Sequence, residues 1–163
     1  PGGSVVSLPA GATAVEVGAT VGLVMGRAAA RLSADTALEA VAGVVLAADL
    51  SLPHASYYRP AIREKCFDGA LPLGPVQPLT DLASLSLTTR IDGEVVETRS
   101  LADLLRDPAR LLADVTGFMT LAEGDVLLVG VSYLAPQAVA GSRVSVHAEA
   151  LGTLDFSIAG AQA

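Results

Sequence analysis

Hydrophobic and polar residues alternate with a period of two through much of the chain, the spacing that places successive side chains on opposite faces of a strand. Val5 to Leu8 is a short strand entered from a Pro-Gly-Gly turn, and it suits a sheet edge. Val15 to Gly26, VEVGATVGLVMG, is rich in Val and interrupted by Gly18 and Gly22, which marks a strand with a bulge or a close backbone approach. Val44 to Leu50 is a buried strand in which Asp49 is the first polar residue after a long apolar run. Leu85 to Arg90 and Glu94 to Thr98 both alternate, and the Asp92-Gly93 pair between them predicts a tight hairpin. Leu121 to Gly130 reads as a turn feeding a strand, followed by strands at Arg143 to Ala148 and Leu154 to Ile158.

Two stretches change period. Ser33 is placed to cap a helix with Asp35 in its first turn and Ala37, Leu38, Val41 and Val44 on its apolar face, stopping near Gly43. Ser100 to Phe118 has helical spacing in Leu101, Leu104, Leu105, Leu111, Leu112 and Val115, with Ser100 or Asp103 as cap. Pro108 marks a break in it or a fresh start. About seven strands with two or three short helices make the chain an α+β protein with mainly antiparallel sheets, one domain over residues 1–163.

Composition supports a packed fold: 52% of the 163 residues are hydrophobic and 17% charged, which excludes a disordered chain. With three Phe, three Tyr and no Trp, the core must be built from small and branched aliphatics, and some apolar surface is left over for an oligomer interface. A net charge of −7 and ten scattered basic residues argue against nucleic acid as the partner. The longest apolar run, Ala40 to Ala48, is well short of the roughly 20 residues needed to span a bilayer. The absence of a basic leader and the single cysteine, Cys66, suggest a cytoplasmic protein. Because the chain opens almost at once in a turn and strand, it reads as starting in mid-architecture, with an upstream segment lost or carried by another chain.

The chemistry is concentrated between Ala47 and Pro75. Asp49, His54, Tyr57, Tyr58, Arg59, Arg63, Glu64, Lys65, Cys66 and Asp68 crowd into a segment whose Pro53 and Pro60 exclude a long helix. Such density fits either a ligand site or a solvated loop, and composition does not choose between them. His147 lies on an alternating strand opposite in sense to Val144 and Val146, so it is expected at the surface.

Several motifs in this order resemble the fumarylacetoacetate hydrolase superfamily: Met25-Gly-Arg27 ending a strand, Val41-Ala-Gly-Val-Val-Leu-Ala-Ala-Asp49, the Lys65 segment leading to Pro72-Leu-Gly-Pro75, Asp92-Gly-Glu94, and Leu121-x-x-Gly-Asp-Val. Gly18-Ala-Thr-Val, Ser51-Leu-Pro, Tyr58-Arg-Pro-Ala-Ile-Arg-x-Lys-Cys66 and Asp68-Gly69 are similar, within it, to the first half of the isomerase/decarboxylase branch that serves 4-hydroxyphenylacetate (homoprotocatechuate) catabolism. The resemblance covers nearly the whole chain. It implies a rolled, layered β-sandwich of the fumarylacetoacetase C-terminal type, lacking the family's amino-terminal motif with its catalytic His-Glu pair.

The resemblance also implies a site. Family members hold Mg²⁺ or Mn²⁺ with a Glu-x-Glu pair on one strand and an aspartate on the next; here those positions carry Gly18, Thr20 and Asp49, a degenerate metal site with one carboxylate left. Glu16 shares that face but lies about 7 Å further along the strand. The family's Thr-Gly-Thr-Pro turn has become Val129-Gly-Val-Ser132. Lys65 matches the family's active-site lysine, expected to stabilise an enolate or pair with a substrate carboxylate, or else simply to pair with Asp49 or Asp68. Arg59 and Arg63 would clamp a small 2-oxo di- or tricarboxylate, with Tyr57 or Tyr58 shaping the pocket. The implied function is a subunit of a 2-hydroxyhepta-2,4-diene-1,7-dioate isomerase or 5-oxopent-3-ene-1,2,5-tricarboxylate decarboxylase, working as a homodimer or with a second-half paralogue. The other readings are a catalytically degenerate structural partner and another C–C bond hydrolase of the family.

Overall fold

A computed structural model of the chain describes residues 3–55 and 59–161. The centre of the fold is a long antiparallel ribbon of β2 (Ala14–Met25) and β3 (Val41–Ser51), paired from Glu16–Ser51 to Met25–Val41. Both strands are buried almost throughout, which is why their sequences are nearly unbroken runs of Val, Ala, Leu and Gly. Two short strands share the far edge of β2: β6 (Val126–Leu128) along Gly22 to Val24, and β7 (Gln137–Val139) along Ala14 to Glu16.

The second sheet has the order β1-β9-β8-β4-β5. It comprises β1 (Ser4–Ser7), β4 (Ser86–Ile91), β5 (Glu94–Ser100), β8 (Arg143–Ala148) and β9 (Gly152–Ala159). All pairings are antiparallel except β1 with β9, so the expected edge strand is an edge strand, joined in parallel. Valines, leucines and Phe156 on the inward positions of β4, β8 and β9 meet Val15, Val17, Ala19, Val21 and Leu23 of β2 and Val44, Leu46, Ala48 and Leu50 of β3. This is one apolar layer between two sheets, the expected sandwich. Period two then fixes the other face of the ribbon: Glu16, Gly18 and Thr20 of β2 lie beside Ala47 and Asp49 of β3, turned away from that layer.

The helices are shorter than their spacing suggested. Residues 33–43 form only a 3₁₀ turn at Ala37–Ala40; Val41 and Val44, read as a helical face, belong to β3. Pairing with β2 buries them better than a helix could, and tertiary burial overrides local propensity. Ser100 to Phe118 is two pieces, a 3₁₀ turn at Leu101–Asp103 capped by Ser100 and a helix at Pro108–Thr116. Its cap is Asp107, whose carboxylate accepts from the amides of Ala109 and Arg110, with Pro108 in the first turn. The only other α-helical turn among the described residues is Ile62–Lys65. No helix among them is long and apolar enough to cross a membrane.

Candidate functional site

The site is built on the outer face of the ribbon. Strand β3 is an outer strand of its sheet, yet its free edge is covered, because residues 64–77 run along it as an irregular strand. Leu52 donates to the Glu64 carbonyl at 2.9 Å, Leu50 to Ala70 at 2.9 Å, Ala48 to Pro72 at 3.1 Å, and Val44 and Gln77 exchange two bonds of 2.8 Å. Pro72 and Pro75 suit this path, since an edge strand needs few donors. Backbone hydrogen bonding thereby lays the turn Ile62–Lys65 across the end of β3. It brings Lys65 Nζ to 2.8 Å from Asp49 Oδ2, sixteen residues away in sequence.

That pair is half open to solvent, with side-chain exposures of 40% for Lys65 and 23% for Asp49. Among the described residues the ammonium is held by one carboxylate, and an ammonium carries three donors. Arg59 and Arg63 are exposed and line a shallow depression of about 450 Å³ with His54 and Glu64, which borders the Lys65 turn but contains neither Lys65 nor Asp49. Arg63 and Glu64 also border a second cleft against Pro9 to Ala14. Tyr57 and Tyr58 lie outside the described residues. His54 is exposed with Nδ1 3.0 Å from the Leu52 carbonyl, and Cys66 is an exposed free thiol. His147 is at the surface as expected, its Nδ1 2.9 Å from the Thr153 hydroxyl across the β8–β9 pair.

The divalent ion implied by the resemblance does not fit the residues present. Gly18 faces Asp49 directly in the β2–β3 pairing, so a carboxylate there would stand beside it. A Cβ at position 18, however, would come within 2.8 Å of Val131 Cγ1 and 2.9 Å of the Asp49 carbonyl oxygen, so its room is taken. Thr20 is fully buried, and its hydroxyl donates to the Gly130 carbonyl. Asp49 alone remains, and it already holds an ammonium. A hard cation of this kind wants several oxygen ligands, and no group of three or more His, Cys, Asp or Glu side chains is gathered among the described residues.

Two residues that the sequence did not single out complete the site. Val131 lies within the altered turn and packs over Gly18. Arg99, on β5 of the opposite sheet, reaches across to β2, and its Nη1 donates to the carbonyls of Gly130 at 3.0 Å and Ala19 at 3.3 Å. Ala19 sits in the gap between the stretches of β2 paired with β7 and β6, where the 130–136 turn leaves the sheet, so Arg99 satisfies a carbonyl that no strand reaches. The Val-Gly-Val-Ser sequence hinted at Val131; nothing local to β5 marks Arg99.

The family model of the fumarylacetoacetate (FAA) hydrolase C-terminal region matches residues 1–159. The chain is 41% identical over 138 residues to the 4-hydroxyphenylacetate degradation bifunctional isomerase/decarboxylase of Salmonella dublin, covering 85% of this chain and 32% of that protein. Similar identity, 39% over 138 residues, relates it to the homoprotocatechuate catabolism bifunctional isomerase/decarboxylase of Escherichia coli. It thus spans about a third of the length of these curated relatives. Among solved structures, 5-carboxymethyl-2-hydroxymuconate delta-isomerase from Mycobacterium smegmatis superimposes with a TM-score of 0.92 at 28% identity, over 99% of this chain and 65% of that one. A 2-hydroxyhepta-2,4-diene-1,7-dioate isomerase from Mycobacterium marinum does so with a TM-score of 0.87 at 26% identity, over 98% and 64%.

Proposed function

Because this chain belongs to the fumarylacetoacetate hydrolase C-terminal family, we propose that it serves the isomerisation or decarboxylation of a small 2-oxo di- or tricarboxylate in 4-hydroxyphenylacetate breakdown, as one half of a two-half enzyme whose other half is a paralogue. The relatives' names and the third of their length that the chain spans support this reading. The observation that carries it is the Lys65–Asp49 contact of 2.8 Å on an open face of an otherwise closed ribbon.

The chemistry asked of Lys65 is electrostatic. When 5-oxopent-3-ene-1,2,5-tricarboxylate loses CO₂ from the carbon next to its double bond, the C–C bond breaks and its electron pair moves through the double bond onto the 2-oxo acid's carbonyl oxygen, leaving a dienolate that is then protonated. Shifting a double bond passes through an enolate of the same kind, by removal and return of a proton. Negative charge develops on one oxygen in both cases, and a preorganised ammonium beside it lowers the barrier. Asp49 orients that ammonium, and Arg59 and Arg63 hold the substrate's outer carboxylates.

A second reading, a structural half that completes a pseudo-symmetric dimer with an active paralogue, draws support from Gly18 and Thr20 at the positions where the family carries carboxylates. Assays of the purified chain alone, of a second-half subunit alone, and of the mixture, on 2-hydroxyhepta-2,4-diene-1,7-dioate and 5-oxopent-3-ene-1,2,5-tricarboxylate, separate the readings. Turnover in the mixture that falls when Lys65 is replaced supports a working half. Turnover indifferent to Lys65 supports the structural one.

A further inference from the structure

The face of the ribbon around Gly18 is closed by parts that fit one another, and none of them depends on the activity proposed above. Val131 Cγ1 at 2.8 Å and the Asp49 carbonyl oxygen at 2.9 Å share the volume that a side chain at position 18 would need. The turn carrying Val131 is tied down twice at the same atom, the Gly130 carbonyl, which accepts from the buried Thr20 hydroxyl and from Arg99. Arg99 also anchors to the Ala19 carbonyl, so the tie runs from one sheet to the other. Beside this plug, Lys65 supplies the positive charge that faces Asp49. We propose that Gly18 and Val131 form a mutually dependent pair that seals this face against divalent cations, latched by Thr20 and Arg99, with the Lys65 ammonium as the site's built-in cation.

The physical reasoning is steric first and electrostatic second. A carboxylate at position 18 cannot be accommodated while Val131 is in place, because side-chain atoms at 2.8 Å from a Cβ are far inside van der Waals contact. Opening the plug alone offers an ion only Asp49, already paired, and leaves the Lys65 and Arg99 charges nearby to oppose a dication. A cation site therefore requires at least three changes together, and single reversions leave the protein metal-independent.

Titration of the whole chain with Mn²⁺, followed by the loss of the free ion's electron paramagnetic resonance signal, tests this directly. The wild type and Val131→Gly are expected to leave the signal of the free ion, whereas the combined Gly18→Glu, Thr20→Glu, Val131→Gly variant binds Mn²⁺ at least about tenfold more tightly, since it restores three carboxylates around one point. Wild-type binding as tight as that of the triple variant and lost in Asp49→Asn overturns the proposal, as does a folded triple variant that binds no better than wild type. A thermal-melting cycle tests the pair without any metal. Gly18→Ala is expected to lower the melting temperature, and adding Val131→Ala is expected to recover part of that loss. Simple additivity of the two changes would show that the residues do not compete for the same space, and the plug would be refuted.

Discussion

The β2–β3 ribbon and the segment that follows it, residues 52–68, are neighbours in the chain with opposite designs. In the ribbon nearly every residue is buried and the backbone groups of both strands are paired, so one atom more or less is felt. Among the described residues of the segment most are exposed, and the helical turn Ile62–Lys65 buries none of its side chains. The two meet at the Lys65–Asp49 bond, while Leu52 N–H to the Glu64 carbonyl folds the segment back on itself. Stability thus resides on one side of that seam and candidate chemistry on the other, an arrangement in which the polar residues can change without costing the fold.

The comparison breaks most visibly in the ribbon. Leu46 is 1% exposed and sits in the layer between the sheets. Leu46→Ala is expected to cost about 2–5 kcal/mol, the loss of a buried side chain plus the cavity left behind. A shift of the urea midpoint at unchanged slope is the measurement. A loss below about 0.5 kcal/mol, the scale of ordinary surface changes, would mean that the ribbon is not the rigid member of the two.

Gly43 tests the edge of the ribbon. A Cβ there would approach the Gln77 carbonyl oxygen, a backbone atom, and Val76 Cγ1 at 2.8 Å. Gly43→Ala must therefore push residues 76–77 off the strand and break the paired Val44–Gln77 bonds. The expected cost is about 1–3 kcal/mol, the range of overpacked cores. Amide hydrogen exchange should show faster exchange at Val44 and Gln77 while Leu23 and Leu46 stay protected, because local opening need not melt the centre.

The same contrast explains which parts of the molecule are legible in the sequence. The hairpin at Asp92-Gly93 is, because its geometry is local: both residues have positive φ, +53° and +89°, which few other pairs tolerate. The strands of the ribbon are legible over Val15 to Met25 and Val44 to Leu50, where the runs are apolar and Val-rich, but not at Val41, which also fits a helical face. The helix expected from Ser33 is not there, since Ser33 Oγ bonds the Thr36 hydroxyl instead of capping an amide and β2 recruits Val41 and Val44. The helix at Pro108 starts from Asp107 rather than from Ser100 or Asp103, Asp-Pro being the stronger start signal. In the site, Asp49 and Lys65 stand out from an apolar background, whereas Arg99 acts on a carbonyl 80 residues away. No pattern on β5 could announce a gap between two strands that pair elsewhere on β2.

Lys65 is where the two regions are most sharply separated, and the smallest effect on stability is expected there. Its pair with Asp49 is partly exposed, and ion pairs in such surroundings contribute about 0–1 kcal/mol. Lys65→Ala should therefore leave the urea midpoint close to that of the wild type. In the mixture with a second-half subunit the same change should lower kcat by about 10²–10³-fold, the usual loss when a donor aimed at a developing oxyanion is removed. Lys65→Arg keeps the charge but spreads it over a planar fork, so it should retain stability and recover only part of kcat. Asp49→Asn distinguishes orientation from charge. If Asp49 positions the ammonium, its replacement lowers kcat less than loss of the ammonium itself and leaves KM nearly unchanged. Were Lys65→Ala instead to unfold the chain while kcat per folded molecule stayed constant, the pair would belong to the scaffold, and the seam between the two regions would lie further out along the segment.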